Sequence, residues 1–392
     1  IQEDHRLVGR IVRAAKARNP ALVAAAAGSF ATSFPGRALD ELGVDVIIEG
    51  DFELQSLALV KYLRSDAGAD PKRFAVDASL RMPSLDELPF PDYSGMDYRE
   101  YFNHPEWGNL RYPEKSRRFT AYQASRGCPC DCSFCNVRFL RGKRGTRVRS
   151  PAGVLRHLYR LRDELGIEEV HFLDENITVM RKWALELFAG MKDVGLPWLP
   201  GGGINVYTLD EAMLEALRES GCYRLTVALE SGSQTILDRA IRKPVVLARD
   251  VPRVERAKKM GFEIVAYFII GFPDETSEER QATLDLAANP AFDYVTLSIA
   301  SPLPGTRLAE ESRARETLLA DYPEFRHRAN IGLDAAERKK LEALRVEVWD
   351  RVNFSDPERR LRLQRMFGVT AEEQERMRRR TRDAFERRWA NT

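Results

Sequence analysis

The chain has 392 residues, 44% of them apolar and 31% charged, with a formal net charge of +2. That balance suits a globular protein with a real core and gives no general reason to invoke nucleic acid. No apolar run approaches the roughly 18–20 residues a membrane-spanning helix needs, and five cysteines make no disulfide framework at this length. With no secretory pattern at the start, a cytoplasmic location is the expectation.

Residues 1–75 read as helix, strand, turn, helix and strand. "DHRLVGRIVRAAKARNP" has helical periodicity, "ALVAAAAGSF" is a short apolar run, and "ALDELGVDVIIEGDFE" gives a short helix followed by a buried-type strand. This is the pattern of the latter half of a doubly wound, Rossmann-like domain. Residues 76–118, with "MPSLDELPFPDYSGMDY", are rich in proline and aromatics and form a linker expected to pack on the segment after it.

From Phe119 the alternation becomes regular. Strands at "FTAYQ", "EEVHFLDE", "WLPGGGINV", "CYRLTVALESG", "FEIVAYFIIG" and "FDYVTLSIA" are separated by helical segments. Six such units are too few to close an eight-stranded barrel. The expected fold is therefore α/β: an open, partial (β/α)6 barrel over 119–310, with its site at the C-terminal strand ends. Residues 311–392 read as helical and arginine-rich, as in "RMRRRTRDAFERR". Interleaved glutamates favour a solvated or partner-facing helix over a nucleic-acid surface.

The chemistry concentrates in "QASRGCPCDCSFCNV", residues 123–137, directly after the first barrel strand. Cys128, Cys132 and Cys135 are spaced C-x3-C-x2-C. Three thiolates on one short loop suit three corners of an iron–sulfur cube and leave one iron open to a substrate or second cofactor. A zinc knuckle using all four cysteines is the plainer alternative. It fits less well, because structural zinc sites draw ligand pairs from two segments, Cys222 stands alone, and none of the five histidines lies in the loop. Cys130 is expected to be a free thiol facing away from any cluster, and Cys222 a small buried core residue.

The loop resembles that of the radical S-adenosylmethionine (SAM) enzymes, whose C-x3-C-x-aromatic-C pattern is matched by Cys128, Cys132, Phe134 and Cys135. The resemblance implies a [4Fe-4S] cluster and SAM as cofactors. One-electron cleavage of SAM would yield a 5′-deoxyadenosyl radical that removes a substrate hydrogen, with a flavodoxin or ferredoxin as electron donor. It also implies cofactor contacts for Phe134, for Glu230 and Ser231 in "ALESGSQ", and for Gly271 in "GFPDET". Asp174 and Glu175 in "FLDENIT" are candidates to hold the SAM amino group. They are equally ordinary acids at a helix start. Gly201, Gly202 and Gly203 read as opening space for a bulky ligand, with Asn205 and Tyr207 beyond them within reach of cofactor or substrate. Gly232 is expected to allow close backbone approach to the cofactor.

Residues 1–75 further resemble the cobalamin-binding domain of a large subgroup of these enzymes. Two departures bear on cobalamin: the subgroup's histidine motif lies earlier than this sequence begins, and its paired glycines are Ala27-Gly28 here. Phe30 is placed to fill the groove a nucleotide tail would need. A vestigial front domain is shared with radical SAM diol dehydratases of aminoglycoside biosynthesis. The expected reaction is thus radical dehydration of a diol on an aminosugar, with a partner reductase. The alternative is cobalamin-dependent radical methyl transfer to an sp3 carbon of a secondary metabolite. Asp293, Tyr294, His104 and Tyr207 are the candidates for the acid a departing hydroxyl needs. A small-molecule partner is expected, with neither nucleic acid nor membrane.

Overall fold

The computed structural model describes residues 5–65, 70–77, 84–103, 114–141, 145–314, 329, 331 and 333–390. The front segment builds α1 (His5–Arg18), β1 (Ala25–Ala27), α2 (Ser29–Ser33), α3 (Pro35–Leu42), β2 (Val46–Ile48) and α4 (Glu53–Ser65). β1 and β2 pair in parallel with Ala26 opposite Ile47, which requires the helical crossover between them. One small core gathers Ala31, Ala38, Leu42 and Val44; a second sets Val46 and Ile48 against Leu59 of α4. Helices thus cover both faces of the pair, as in a doubly wound unit.

The linker carries α5 (Tyr98–Asn103) and packs on the barrel, as its aromatics predict. Phe102 enters the main core, and Phe90 stacks on His157 with centroids 4.3 Å apart. The barrel comes next as β3 (Phe119–Tyr122), β4 (Ser125–Arg126), α6 (Val137–Arg141), β5 (Arg147–Val148), α7 (Pro151–Leu165), β6 (Glu169–Phe172), α8 (Arg181–Val194), β7 (Trp198–Pro200), α9 (Glu211–Glu219) and β8 (Arg224–Glu230). It continues with α10 (Gln234–Ile236) running into a π turn (Leu237–Ile241), then α11 (Leu247–Lys259), β9 (Glu263–Ile270), α12 (Ser277–Ala287), β10 (Tyr294–Ile299) and α13 (Arg307–Ala314).

Side-chain caps set where the helices begin. Ser150 accepts from Gly153 N–H with Pro151 at the first turn, Asp210 caps α9, and Thr276 with Glu279 forms a reciprocal capping box on α12. Pairing runs β3-β6-β7 and β8-β9-β10, all parallel. Parallel bridges Trp198–Cys222 and Ile204–Val227 join the two sets into one six-stranded arc. Among the described residues no pairing closes β10 onto β3, so the barrel is open.

The C-terminal helices α14 (Ala335–Phe354), α15 (Pro357–Phe367) and α16 (Ala371–Trp389) close one end of that arc. Trp349, Phe354, Leu363 and Met366 pack with Val265, near the start of β9. Asn353 treats the exposed edge of β10 as a missing strand would, accepting from Val295 N–H at 2.8 Å and donating to its carbonyl at 2.9 Å. α15 and the C-terminal end of α14 therefore plug the N-terminal end of the barrel, while the start of α14 runs back along β10, where Leu341 lies beside Gly271 just past β9.

Candidate functional site

The cysteine loop leaves β3 through β4, whose two residues pair antiparallel with β5. Gly127 is next in the chain with φ 92°, and a Cβ there would lie 2.4 Å from the Gly145 carbonyl oxygen, so only glycine fits. Beyond it the turn is pinned from outside. Ser133 N–H donates to Ile241 O at 2.9 Å, its hydroxyl to Ala240 O at 2.5 Å, and its carbonyl accepts from Leu308 N–H at 2.9 Å. Cys135 N–H closes on Cys132 O at 3.1 Å. The loop is thus anchored to the π turn after β8 and to the start of α13.

All four loop thiols are half-buried and free. Burial pushes Cys132 up to about 12 and raises Cys135. The hydrogen bond that Cys128 donates to Cys130, with burial added, raises Cys128; the same bond pulls Cys130 down to about 6 against its own burial. The three raised thiols, Cys128, Cys132 and Cys135, need a cation to hold them as thiolates. Lys243 supplies part of that field, since its charge favours the thiolates of Cys130, Cys132 and Cys135. The sulfur donor set on one short loop fits an iron–sulfur cluster.

Asp174 and Glu175, at the end of β6, both serve the loop's entry. Asp174 is buried and accepts from Ala124 N–H at 3.2 Å and from the Ser125 hydroxyl at 2.5 Å. Burial raises its pKa to about 7 against those bonds, with the neighbouring Glu175 charge adding to the rise. Glu175 accepts from Gly127 N–H at 3.0 Å and from Arg141 Nε at 3.0 Å. Glu175, half-buried, is the one with acceptor capacity left toward an ammonium group, but both side chains are already committed to holding the cysteine loop.

Glu230 ends β8 at a register shift, with φ 69°, one of three described non-glycine residues at positive φ. Its carboxylate accepts from Lys243 Nζ at 2.8 Å, and the same ammonium donates to Ala228 O at 2.7 Å. Burial works against the Lys243 charge, but Glu230 and the nearby Cys132 outweigh it and raise its pKa. A strained carboxylate backed by a buried lysine beside the thiols is the kind of outlier that clusters at functional sites. Sequence reasoning missed Lys243, which carries no local signal in "IRKPVV".

Several expectations are corrected by the geometry. Asp293 lies at the N-terminal end of β10, where Lys258 Nζ meets both its oxygens at 2.7 Å and Ile264 N–H donates at 2.8 Å. Tyr294 beside it accepts from Trp349 Nε1 at 3.1 Å, in the plugged end. Neither belongs to the site. His104 lies outside the described residues. Cys130 does not face away: its sulfur bonds the Tyr207 hydroxyl at 3.1 Å and Asn205 Nδ2 at 3.5 Å, so these two residues reach the loop itself.

Two of the singled-out glycines are explained by packing: a Cβ at Gly202 would lie 2.0 Å from Asp174 O, and one at Gly232 would lie 2.2 Å from Ala282 O of α12. Both glycines admit neighbouring backbone rather than a ligand. Ser231 is buried on Thr283 at 2.9 Å. Gly271, φ 78°, donates to Glu275 at 2.6 Å and turns the chain after β9, and Phe134 meets Phe272 edge-on with centroids 6.2 Å apart. Cys222 is a buried core residue, as expected.

In the front domain, Phe30 does not fill the edge beside Gly28. It stacks on His5 at 4.9 Å and leans on Phe34 at 5.8 Å. Gly28, φ 98°, stays open, with nothing within 4 Å of a Cβ built there. The backbone at the C-terminal edge of β1 is thus exposed at Gly28, and α2 behind it touches α6, the helix just after the cysteines.

Comparison with known proteins agrees with this architecture. Residues 122–287 match the profile of the Radical SAM superfamily. The cytidylyl-2-hydroxyethylphosphonate methyltransferase of Streptomyces wedmorensis is 31% identical over 341 residues, covering 78% of this chain and 63% of its own. An uncharacterized methyltransferase of Pyrococcus horikoshii is 33% identical over 288 residues, covering 70% and 60%. The chain thus spans about six tenths of the length of these curated relatives. Among solved structures, TsrM of Kitasatospora setae with cobalamin and a [4Fe-4S] cluster bound aligns with TM-score 0.64 at 15% identity, over 91% of this chain and 75% of that one. OxsB with aqua-cobalamin bound aligns with TM-score 0.61 at 14% identity, over 96% and 61%. At such identities the likeness establishes the fold, front domain included.

Proposed function

We propose that this chain, whose residues 122–287 belong to the Radical SAM superfamily, is a cobalamin-dependent radical SAM methyltransferase acting on an sp3 carbon of a small polar molecule. The observation that carries the reading is the kinship at 31–33% identity to two methyltransferases. It replaces the elimination reaction expected from the altered front-domain glycines, since both of these relatives are methyltransferases and not dehydratases. The open edge at Gly28 supports the same choice, because it removes the steric objection that Phe30 raised.

When bound, the cluster supplies one electron, SAM the 5′-deoxyadenosyl radical, and the corrinoid the methyl group. The chain's own residues do the rest. Cys128, Cys132 and Cys135 would hold iron as thiolates. Lys243, paired with Glu230, offsets their charge, while Asp174 and Glu175 fix the loop and the half-buried Glu175 is the acceptor for an ammonium. The plug formed by α14 and α15 keeps water from entering through the far end of the barrel. Gly28, exposed after β1, is the front-domain residue whose backbone would be open to a corrinoid.

The test uses anaerobically reconstituted full-length protein with SAM, a strong reductant and hydroxocobalamin. A corrinoid absorption band that survives gel filtration, with S-adenosylhomocysteine formed beside 5′-deoxyadenosine, is the expected result. 5′-Deoxyadenosine without retained corrinoid or S-adenosylhomocysteine would return the reading to elimination.

A further inference from the structure

The front domain meets the cysteine loop through charge. Asp51, just past β2 and Gly50, has a side chain only 5% exposed, and three arginines converge on it. Arg126 lies at 3.5 Å, Arg141 at 3.6 Å, and Arg147 closes a third ion pair. All three flank the loop. Arg126 sits two residues before Cys128, Arg141 ends α6 after Cys135, and Arg147 lies opposite Arg126 in the β4–β5 pair.

Two further carboxylates complete the set. Glu53 takes Arg126 at 2.6 Å, and Glu175 takes Arg141 Nε while accepting from Gly127 N–H. Three carboxylates therefore balance three guanidinium groups, with two of the carboxylates supplied by the front domain. Only Gly127 separates Arg126 from Cys128, and its N–H is held by Glu175 at 3.0 Å, so the path from arginine to cysteine is short and tethered. What fixes the arginine fixes the first cysteine.

We propose that Asp51 is a positioning residue for the cluster site, tying the ligand-facing edge of the front domain to both flanks of the cysteine loop. Its role rests on the ligand assignment of Cys128, Cys132 and Cys135 for the redox consequence alone. Without the Asp51 charge, three arginines share two carboxylates in a water-poor setting, and they repel one another. The loop then loosens at both flanks. The added positive charge beside it also favours the reduced, more negative cluster, so the midpoint potential rises.

The experiment measures hydrogen–deuterium exchange of residues 123–141 in chelated, thiol-reduced full-length protein, for wild type, Asp51→Asn, Asp51→Glu and Glu53→Gln. Asp51→Asn is expected to speed exchange there by roughly tenfold or more, with 224–230 and 263–270 unchanged. Glu53→Gln should move the same peptides less, and Asp51→Glu should restore them in part. EPR-monitored redox titration of the reconstituted proteins should place Asp51→Asn at a more positive midpoint than wild type, with Asp51→Glu between them. Faster exchange confined to 46–65, or an unchanged midpoint in a fully loaded Asp51→Asn protein, overturns the proposal. The exchange comparison needs no iron, so it decides the positioning role even where reconstitution fails and the ligand assignment falls. If Asp51→Asn does not fold, Glu53→Gln carries the same test, and no change in 123–141 then overturns it.

Discussion

Replacing Lys243 by methionine isolates the buried pair at the heart of the site. Lys243 and Glu230 have side chains 4% and 8% exposed and lie 2.8 Å apart, with Ala228 O as a second acceptor at 2.7 Å. Methionine keeps most of the volume but leaves the Glu230 carboxyl group buried and without its cation. Breaking such a pair by removing one partner costs about 3–5 kcal/mol. The left-handed backbone at Glu230 adds to the demand, since a strained residue persists only while its surroundings hold it. Urea unfolding of the chelated, reduced protein, with the slope held equal between variants, measures the loss. The double variant Lys243→Met/Glu230→Gln should recover much of it, because no charge is then stranded. A loss below about 1 kcal/mol for Lys243→Met would place the pair in the class of solvent-screened ion pairs and refute the reasoning.

Other outcomes rest on the same geometry. Cys128→Ala, Cys132→Ala and Cys135→Ala should each lose iron and acid-labile sulfide on reconstitution, while Cys130→Ala keeps both; colorimetric iron and sulfide assays decide it. Asp174, raised from 3.8 to about 7 by burial, contributes stability that is full below its unfolded pKa and is lost as pH rises from about 4 to about 7. Relative to Asp174→Asn, wild type should therefore lose up to about 4 kcal/mol across that window in urea unfolding. Gly127→Ala should destabilise by at least about 1–2 kcal/mol from its positive φ alone, more with the Gly145 clash, and should slow cluster loading. Asp293→Asn should lower thermal stability yet leave the iron content and SAM cleavage of the folded fraction unchanged, because it lies at the plugged end.

The cysteine loop, the six β/α units and the doubly wound front segment were legible because each rests on local pattern. A spacing of thiols, an alternation of apolar runs and glycines at turns are all written within a few residues. What escaped depends on contacts between distant segments. Lys243 reads as a surface residue until the register shift at Glu230 brings the two together. Asp51 is an inconspicuous acid in "EGDFE" until Arg126, Arg141 and Arg147 fold over it. Gly202 and Gly232 suggested room for a ligand, but they admit the backbone of neighbouring elements instead. Asp293 and Tyr294 were placed at the wrong end of their strand: they stand at the start of β10, so its direction puts them opposite the site. Cys130 turned inward because Tyr207 and Asn205 stand where a sequence shows no neighbour.

The measurement that tests the central claim most directly is iron and sulfide analysis of the anaerobically reconstituted protein, combined with EPR of the reduced form with and without SAM. Three cysteine ligands and one open iron predict about four irons and four sulfides per chain, with an EPR signal that shifts when SAM is added. Zinc in place of iron, or a cluster signal indifferent to SAM, would contradict it.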